Sequence, residues 1–279
     1  MNTEARLYLD LMKKCLTNTI YGEAELVPIS PSGFIRRMIR KVFGAVGITL
    51  ASVNTYVAEK REGGLDWPPY AHTMIGLARL NNIQDCVEEI LKKNIPGDLI
   101  ETGVWRGGAT IFMRALLKAY DVRDRNVWVA DSFEGLPAPN ETKYPLDKDD
   151  QLHTENYLAV SIEEVRKNFI KYDLLDDQVR FLKGWFSATL PRADIEKLAL
   201  IRLDGDMYES TMDALENLYP KLVTGGYVIV DDWGAYPPCR SAVEDFRQRH
   251  QIIEAIHSID ETGVFWKRGA HKGENTIQI

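Results

Sequence analysis

Five apolar runs, separated by stretches with helical character, dominate the chain from Asp98 onward and limit the folds open to it. The runs occupy residues 98–104, 126–133, 179–185, 198–205 and 226–233. Strands that are apolar on both faces and alternate with helices are typical of a parallel sheet with helices on both sides. Two later runs, 252–259 and 263–268, are joined by the turn-like segment DETG, which predicts an antiparallel hairpin at the sheet edge.

The first 95 residues differ from the rest, with helical patterns and loops but no convincing series of strands. We predict a helical N-terminal extension or lid over residues 1–95 and an α/β domain over residues 96–279. Segment 34–46 has apolar residues at helical spacing and basic residues on the other face. It fits a membrane-surface helix, but packing on its own domain or on a subunit partner is the interpretation we favour. The acidic loop 140–157 fits either a mobile cover or a simple solvated loop.

Composition and charge exclude several classes of protein. A net charge of −7 and a pI near 5.4 argue against a nucleic-acid-binding protein that relies on phosphate neutralisation. The three cysteines are far apart and odd in number, which favours a reducing compartment over a disulfide framework. No segment resembles a signal peptide or reaches the ~18 apolar residues of a membrane span. We therefore expect a cytoplasmic protein with no membrane span and no nucleic-acid partner.

The motif DLIETGVWRGGAT places three glycines where the first apolar run turns into a helix. Glycine there allows a tight turn and a close approach to a ligand, and the helix N-terminus favours negative charge. The spacing is not GxGxxG, and Glu101 precedes Gly103, where it would repel a pyrophosphate. Glu101 would instead accept hydrogen bonds from a free amino group, which points to S-adenosylmethionine. An ordinary strand-to-helix turn is the alternative.

The next two runs also end in residues suited to a nucleoside. Asp131 stands at the carboxyl end of its run, where an acidic residue accepts hydrogen bonds from ribose hydroxyls. The alternative role for Asp131 is to cap the following turn. Gly184 and Trp185 end the third run and Phe186 follows it, and all three fit beside an adenine ring. The rings of Trp185 and Phe186 fit equally well within the hydrophobic core.

Four carboxylates end the last two runs of the predicted parallel sheet. Asp204 and Asp206 follow the apolar residues 198–203, and Asp231 and Asp232 follow the apolar residues 227–230. If these strands are neighbours, the acids converge where ligands of open α/β sheets bind, and we expect the bare backbone of Gly205 to let the first pair turn toward one site. Like charges so close are costly unless neutralised, and Mg²⁺ suits oxygen ligands. One carboxylate is then left to act as general base; two unrelated surface acid pairs are the alternative.

Five stretches together resemble the macrocin O-methyltransferase family. In order they are DWPPYAHTMIGLARLNNIQDCVEEIL, PGDLIETGVWRGGATIFMRA, VWVADSFEGLP, RLDGDMYEST and GGYVIVDDWG. The family comprises Mg²⁺- and S-adenosylmethionine-dependent sugar O-methyltransferases of natural-product pathways, including enzymes acting on macrolide and aminocoumarin sugars. The resemblance covers residues 66–268 and weakens before residue 60. It implies a doubly wound, mostly parallel sheet of the class I methyltransferase type with an antiparallel edge strand.

The resemblance also implies roles for individual residues. Asp204, Asp231 and Asp232 would ligate Mg²⁺, and Asp206 would take the proton from a sugar hydroxyl. The implied cofactor contacts are Glu101, Thr102, Gly103, Val104, Trp105, Asp131, Ser132, Gly184, Trp185, Phe186 and Asp204. One departure is visible, because the family pattern WFxDTLP reads WFSATLP here. Ala188 replaces an aspartate, so either Ser187 replaces its contact or the site binds the cofactor differently.

We therefore predict an S-adenosylmethionine- and Mg²⁺-dependent O-methyltransferase that methylates a sugar hydroxyl of a glycosylated natural product or its precursor, as in antibiotic biosynthesis. The expected partner is a small-molecule glycoside or sugar, and the apolar faces of the N-terminal helices favour a homo-oligomer. A catechol-type O-methyltransferase acting on a phenolic diol is the alternative within enzymes. A nicotinamide-dependent oxidoreductase fits poorly with Glu101 in the glycine loop, and a non-catalytic assembly protein fits poorly with four retained acids.

Overall fold

The computed structural model describes residues 3–28 and 34–270. Helices and strands alternate along most of this length. The helices within these ranges are α1 (Thr3–Leu16), α2 (Phe34–Ala45), α3 (Ala58–Gly63), α4 (Leu77–Lys92), α5 (Gly108–Ala119), α6 (Ile162–Lys171), α7 (Phe186–Thr189), α8 (Tyr208–Leu218) and α9 (Pro237–Arg249). The strands are β1 (Glu25–Pro28), β2 (Ala51–Asn54), β3 (Asp98–Thr102), β4 (Val127–Asp131), β5 (Val179–Lys183), β6 (Leu198–Leu203), β7 (Leu222–Val230), β8 (His257–Ser258) and β9 (Val264–Lys267).

Seven strands of the described chain form one sheet in the order β5-β4-β3-β6-β7-β9-β8. The strands from β5 to β7 are parallel, whereas β9 is antiparallel to both β7 and β8. This confirms the predicted doubly wound sheet of the class I methyltransferase type with an antiparallel hairpin at one edge. The direction of winding reverses between β3 and β6, and ligands of open α/β sheets bind beyond the carboxyl ends of the strands at such a point.

Helices cover both faces of the sheet and bury it between them. Strand β6 is buried along its whole length, as a run that is apolar on both faces predicts. Helices α1, α4 and α5 pack in one hydrophobic cluster on one face, and α8 and α9 pack in a second cluster on the other. Because α1 and α4 share a core with the sheet, they belong to its helical layer. The division into residues 1–95 and 96–279 stays a prediction.

The N-terminal segment contains two strands that were not predicted. Strands β1 and β2 pair antiparallel, with Glu25 opposite Asn54. The expectation of helices and loops alone was wrong, because four-residue strands are too short to show a readable alternation. The helix predicted over 34–46 is present as α2, although most of its basic side chains, those of Arg36, Arg37 and Arg40, lie outside the part of the structure that is described. None of the helices described here combines the length and apolar character needed to cross a bilayer.

Candidate active site

The carboxyl ends of β6 and β7 lie side by side, so the two acid pairs meet. The strands are parallel neighbours with Leu203 opposite Val230, and the Asp231 amide donates to the Leu203 carbonyl at 2.9 Å. One carboxylate oxygen from each of Asp204, Asp231 and Asp232 lies within 4.8 Å of the others. These three residues are called the acidic cluster below. Three hard oxygen ligands at this spacing suit a small divalent cation such as Mg²⁺.

Asp206 lies at the edge of the acidic cluster. Its amide donates to Asp232 Oδ2 at 3.2 Å, and its φ of 55° lies in the left-handed region. The left-handed φ of this turn lies at Asp206 and not at Gly205, and the expectation that the bare backbone of Gly205 lets both acids turn toward one site stays a prediction. Aspartate tolerates this conformation because its short polar side chain can hydrogen-bond locally. The turn divides the pair, leaving Asp204 in the cluster and Asp206 beside it.

Two buried arginines, which were not predicted from sequence, neutralise part of the acidic charge. Arg202 on β6 is 1% exposed and donates to three carboxylates, those of Glu101, Asp204 and Asp231. Arg79 on α4 donates to the second oxygen of Asp231. Arg202 is a charged residue within the apolar run LALIRL, and this unusual position could have identified it from the sequence. Arg79 gave no such signal, because it lies 152 residues from Asp231 in the chain.

Burial and mutual repulsion raise the pKa values of these acids. The pKa of Asp204 is raised to about 6, first by burial and then by Asp231. Burial raises the pKa values of Asp206 and Asp232 well above the ordinary range, and neighbouring acids add to the effect. The acids of this site therefore hold their protons more tightly than ordinary aspartates do, and a divalent cation would bind by displacing these protons.

A first cavity of about 340 Å³ lies beyond the ends of β3, β4 and β5. The predicted cofactor residues that line it are Gly103, Trp105, Asp131, Ser132, Trp185, Phe186 and Asp204. Glu101 and Val104 line the neighbouring cavity. Two of the predicted residues are not among the described residues that line either cavity, namely Thr102 and Gly184. Thr102 is buried in β3, and the Gly184 amide donates to the Asp131 carbonyl at 2.9 Å. The residues named from sequence are thus gathered in one region, while their contacts to a cofactor stay predictions.

Asp131 makes the turn contacts that were considered as its alternative role. Its carboxylate accepts hydrogen bonds from the amides of Val104 and Phe133, both at 2.7 Å. These bonds hold the glycine loop against the loop that follows β4. Each carboxylate oxygen has a second lone pair, and Asp131 also lines the first cavity. The turn contacts of Asp131 therefore leave room for a hydrogen bond to ribose, and that bond stays a prediction.

Gly103 is required by the backbone that passes beside it. Its φ is 81°, and a Cβ atom at this position would lie 1.7 Å from the carbonyl oxygen of Asp204. No side chain can be accommodated at that distance. The glycine loop is therefore in direct contact with the end of β6, which brings the first cavity up against the acidic cluster.

Glu101 has one carboxylate oxygen that lacks a hydrogen-bond partner among the described residues. The side chain is 2% exposed, and Oε1 accepts a bond from Arg202 while Oε2 is buried without one. Burial raises the pKa of Glu101 to about 8, and Arg202 opposes this shift. An ammonium group would provide both a donor and a positive charge for Oε2. Glu101 therefore fits the aminoacyl end of S-adenosylmethionine.

A second cavity, of about 360 Å³, adjoins the first. Residues that line both cavities are Met74, Trp105, Leu158, Asp204 and Asp206. The second cavity also reaches Asp231 and Asp232, and apolar or aromatic side chains line it farther out, namely Leu65, Trp67, Leu152 and Tyr236. The structure thus has room for two ligands that meet at Asp204 and Asp206.

The loop 140–157 is anchored over this region at two points. Asp147 is 1% exposed and accepts hydrogen bonds from the amides of Tyr208 and Glu209 at 2.7 and 2.9 Å, so it caps α8. Tyr157 donates to the Pro68 carbonyl at 2.6 Å. A local capping pattern could not reveal Asp147, because it lies 61 residues before Tyr208 in the chain.

The departure from the family pattern lies outside the first cavity. Ala188 is exposed in the short helix α7 and is not among the described residues that line this cavity, whereas Ser187 is. An aspartate at position 188 would lie in the first turn of α7, where a negative charge is stabilising. Its absence therefore bears on the stability of this turn more directly than on the cavity.

Comparison with known proteins identifies the family. The chain matches the profile described as Macrocin-O-methyltransferase (TylF) over residues 5–268. The chain belongs to the macrocin O-methyltransferase family. This confirms the resemblance seen in the five sequence stretches and makes the protein an O-methyltransferase.

Similar proteins align with nearly the full length of this family member. The demethyldecarbamoylnovobiocin O-methyltransferase of Streptomyces niveus is 52% identical over 268 residues, 96% of this chain and 95% of the relative. The 8-demethyl-8-(2,3-dimethoxy-alpha-L-rhamnosyl)-tetracenomycin-C 4'-O-methyltransferase of Streptomyces olivaceus is 53% identical over 272 residues, 97% of this chain and 96% of the relative. The solved structure of the O-methyltransferase NovP has a TM-score of 0.83 and 51% identity, covering 95% of this chain and 100% of that chain.

Proposed function

We propose that this member of the macrocin O-methyltransferase family transfers a methyl group from S-adenosylmethionine to a sugar hydroxyl of a glycosylated natural product, with Mg²⁺ as the metal. The observation that carries the proposal is the meeting of two cavities at Asp204 and Asp206, with Asp231 and Asp232 beside them. The relative from S. olivaceus, which is named for a rhamnosyl-bearing tetracenomycin, supports a glycoside as acceptor.

The reaction makes two demands on the protein. A bond forms between the acceptor oxygen and the methyl carbon while the bond from carbon to sulfur breaks, and the hydroxyl proton has to leave. The products are a methyl ether, S-adenosylhomocysteine and a proton. The main tasks of the chain are therefore to align the two reactants and to accept this proton.

Asp206 is the group that would accept the proton. It lines both cavities, so a hydroxyl placed between cofactor and acceptor would lie near its carboxylate. Burial and the neighbouring acids raise its pKa, which makes it a stronger proton acceptor than an ordinary aspartate. Asp206 is not one of the three described carboxylates whose oxygens lie within 4.8 Å of one another, so it need not act as a metal ligand.

Asp204, Asp231 and Asp232 would hold the metal. Mg²⁺ bound there would lower the pKa of the acceptor hydroxyl and would suit a vicinal diol, whose second oxygen can also bind. Arg202 and Arg79 each donate to Asp231 and so fix the direction of its carboxylate. The chain contributes a preformed set of oxygen ligands, oriented by arginines that are themselves buried.

The second cavity favours a sugar that already carries an apolar group. Leu65 and Trp67 line it and are 60% and 52% exposed, so they present apolar surface at its rim. The cations among the described residues that line it are Arg79 and Arg202, and both are paired with carboxylates. A nucleoside diphosphate sugar would bring two phosphates to a predominantly acidic cavity. We therefore place methylation after the sugar has been joined to its aglycone.

Methylation assays with isotopically labelled S-adenosylmethionine test the proposal. Candidate glycosides are incubated with wild-type enzyme, with and without EDTA, and with Asp206→Asn. We expect EDTA to abolish turnover, added Mg²⁺ to restore it, and Asp206→Asn to lower kcat by about 100-fold or more. Undiminished turnover in both conditions would refute the mechanism. Faster methylation of a simple catechol than of any glycoside would instead support a catechol-type enzyme.

A further inference from the structure

We propose that Asp260 is a positioning residue of the metal site, which prevents Arg79 from competing with a cation for Asp231. Asp260 lies in the turn between β8 and β9, the two strands of the hairpin at the sheet edge. The inference deepens the proposed function and rests on its assignment of a divalent cation to the acidic cluster. It gives the hairpin turn a role in the site, in addition to the role of the hairpin strands in completing the sheet.

The hairpin turn lies beside the carboxyl end of β7. Strand β9 is antiparallel to β7 with Val264 opposite Val230, so the residues before Val264 lie next to the residues after Val230. The Gly234 amide donates to the Thr262 carbonyl at 2.9 Å. The turn is therefore hydrogen-bonded to the segment that begins with Asp231.

The turn holds the Asp260 carboxylate in one orientation. Its Oδ1 accepts hydrogen bonds from the amides of Thr262 and Gly263 at 3.0 and 2.7 Å. An aspartate side chain that bonds the backbone two residues on stabilises a turn in this way. Oδ2 accepts from Arg79 Nε at 2.8 Å. Because the turn fixes the carboxylate of Asp260, that carboxylate can fix the guanidinium of Arg79.

Arg79 contacts Asp260 and Asp231 through different N–H groups. Nε and Nη2 donate to Asp260 at 2.8 and 3.2 Å, and Nη2 also donates to the Thr262 hydroxyl. Nη1 donates to Asp231 Oδ2. The guanidinium packs closely on Gly263, where an added Cβ atom would lie 3.1 Å from Nε. Since the donors of arginine form a rigid fork, the bonds to Asp260 leave only one corner of the guanidinium directed at Asp231.

This arrangement matters for a cation at the acidic cluster. Arginine and carboxylate groups form strong pairs through two parallel hydrogen bonds. Without Asp260, Arg79 would be free to turn the edge formed by Nε and Nη2 onto Asp231 and to occupy lone pairs that a cation needs. The charge of Arg79 would also lose its partner and repel the cation. Both effects weaken cation binding, so Asp260 strengthens it without belonging to the acidic cluster.

Two simpler roles for Asp260 make different predictions. If Asp260 only joined α4 to the hairpin, its loss would lower stability but not cation affinity. If it acted only as one more negative charge, another nearby carboxylate would serve equally well. Asp150 is such a carboxylate, because burial and neighbouring acids that include Asp150 raise the pKa of Asp206. Asp150 accepts from the Leu152 amide and has no described contact with Arg79.

Binding of Mn²⁺ tests the inference without any acceptor. Mn²⁺ suits the same oxygen ligands as Mg²⁺, and the free ion is measured by electron paramagnetic resonance at pH 8. We expect Asp260→Asn to raise the Kd for Mn²⁺ by about 10–100-fold, as loss of a residue that orients a metal ligand does. Thr262→Val removes a hydrogen-bond acceptor of Arg79 without changing charge, and it should raise this Kd by about 3-fold. Asp150→Asn, the charge control, should change it far less than Asp260→Asn.

Affinity for S-adenosylhomocysteine, measured without metal, separates positioning from a general structural loss. It should stay unchanged in Asp260→Asn and Thr262→Val, with unchanged circular dichroism. The inference is overturned if Asp260→Asn binds Mn²⁺ as wild type does, if it loses S-adenosylhomocysteine in parallel, or if Asp150→Asn loses as much Mn²⁺ affinity.

Asp232→Asn locates the bound ion, because Asp232 belongs to the acidic cluster and its replacement should abolish Mn²⁺ binding. A wild type that binds no Mn²⁺, or an Asp232→Asn variant that binds it fully, would refute the metal assignment of the proposed function and the inference with it. If wild type binds Mn²⁺ at the cluster and Asp260→Asn binds it equally well, the inference alone fails.

Discussion

Replacement of Arg202 tests whether the buried arginines hold the acidic residues together. Arg202 is 1% exposed and donates to Glu101, Asp204 and Asp231. Methionine has a similar length and can fill the space, but it leaves these acids without their shared cation. Removing one partner of a buried ion pair costs about 3–5 kcal/mol. We therefore expect Arg202→Met to lower the free energy of unfolding by about this amount at pH 8 in the absence of divalent cations.

The loss should depend on pH with a defined sign. The pKa of Glu101 is raised to about 8 and that of Asp204 to about 6, chiefly by burial and despite Arg202. A carboxyl whose pKa is raised by folding stabilises the fold below its unfolded pKa, and this contribution is lost as pH rises through the folded pKa. Without Arg202 both pKa values rise further, so the acids are mostly neutral at pH 5. The destabilisation should therefore be smaller at pH 5 than at pH 8.

Urea unfolding in EDTA at both pH values measures the effect. Arg249→Met is the matched control, because Arg249 is 55% exposed and donates to Glu216 at 2.5 Å on the surface. Exposed pairs contribute about 0–1 kcal/mol, so this variant should change little at either pH. If Arg202→Met lost no more stability than Arg249→Met at pH 8, or lost the same amount at pH 5 and pH 8, the arginine would not neutralise the cluster.

Three further predictions concern the same region. In EDTA at pH 8, Asp232→Asn should melt at a higher temperature than wild type. Folding raises the pKa of Asp232, so the ionised carboxylate destabilises the folded state. An unchanged or lower melting temperature would contradict this. Trp67→Ala should raise KM for a glycoside with an apolar aglycone while leaving KM for its methyl glycoside unchanged, and a parallel rise for both would show that Trp67 does not contact the aglycone. Gly103→Ala should unfold at lower urea than Gly44→Ala, whose added Cβ atom meets nothing within 4 Å, and equal midpoints would disprove the close contact with Asp204.

The sequence predicts those parts of the site that depend on neighbouring residues in the chain. Asp204 and Asp231 could be located because each directly ends an apolar run, and parallel strands bring such ends to one edge. Arg79 and Asp147 could not, because their partners lie 152 and 61 residues away and no local pattern encodes the contact. The turn between Asp204 and Asp206 was assigned to Gly205 because its backbone is bare, and the left-handed φ at Asp206 was not predicted. Strands β1 and β2 were missed because they are short and most of their described side chains are exposed, which leaves no alternation to read.

The distribution of charge explains why the site uses both arginines and a metal. Asp231 accepts from Arg202 through Oδ1 and from Arg79 through Oδ2, so each oxygen has one lone pair left for a cation. The arginines thus orient Asp231 without occupying it fully. Asp206 and Asp232 have no arginine partner among the described contacts, and their pKa values are raised well above the ordinary range. The charge that the arginines leave uncompensated therefore lies on the side of the second cavity, where a divalent cation and the hydroxyl of the acceptor can meet.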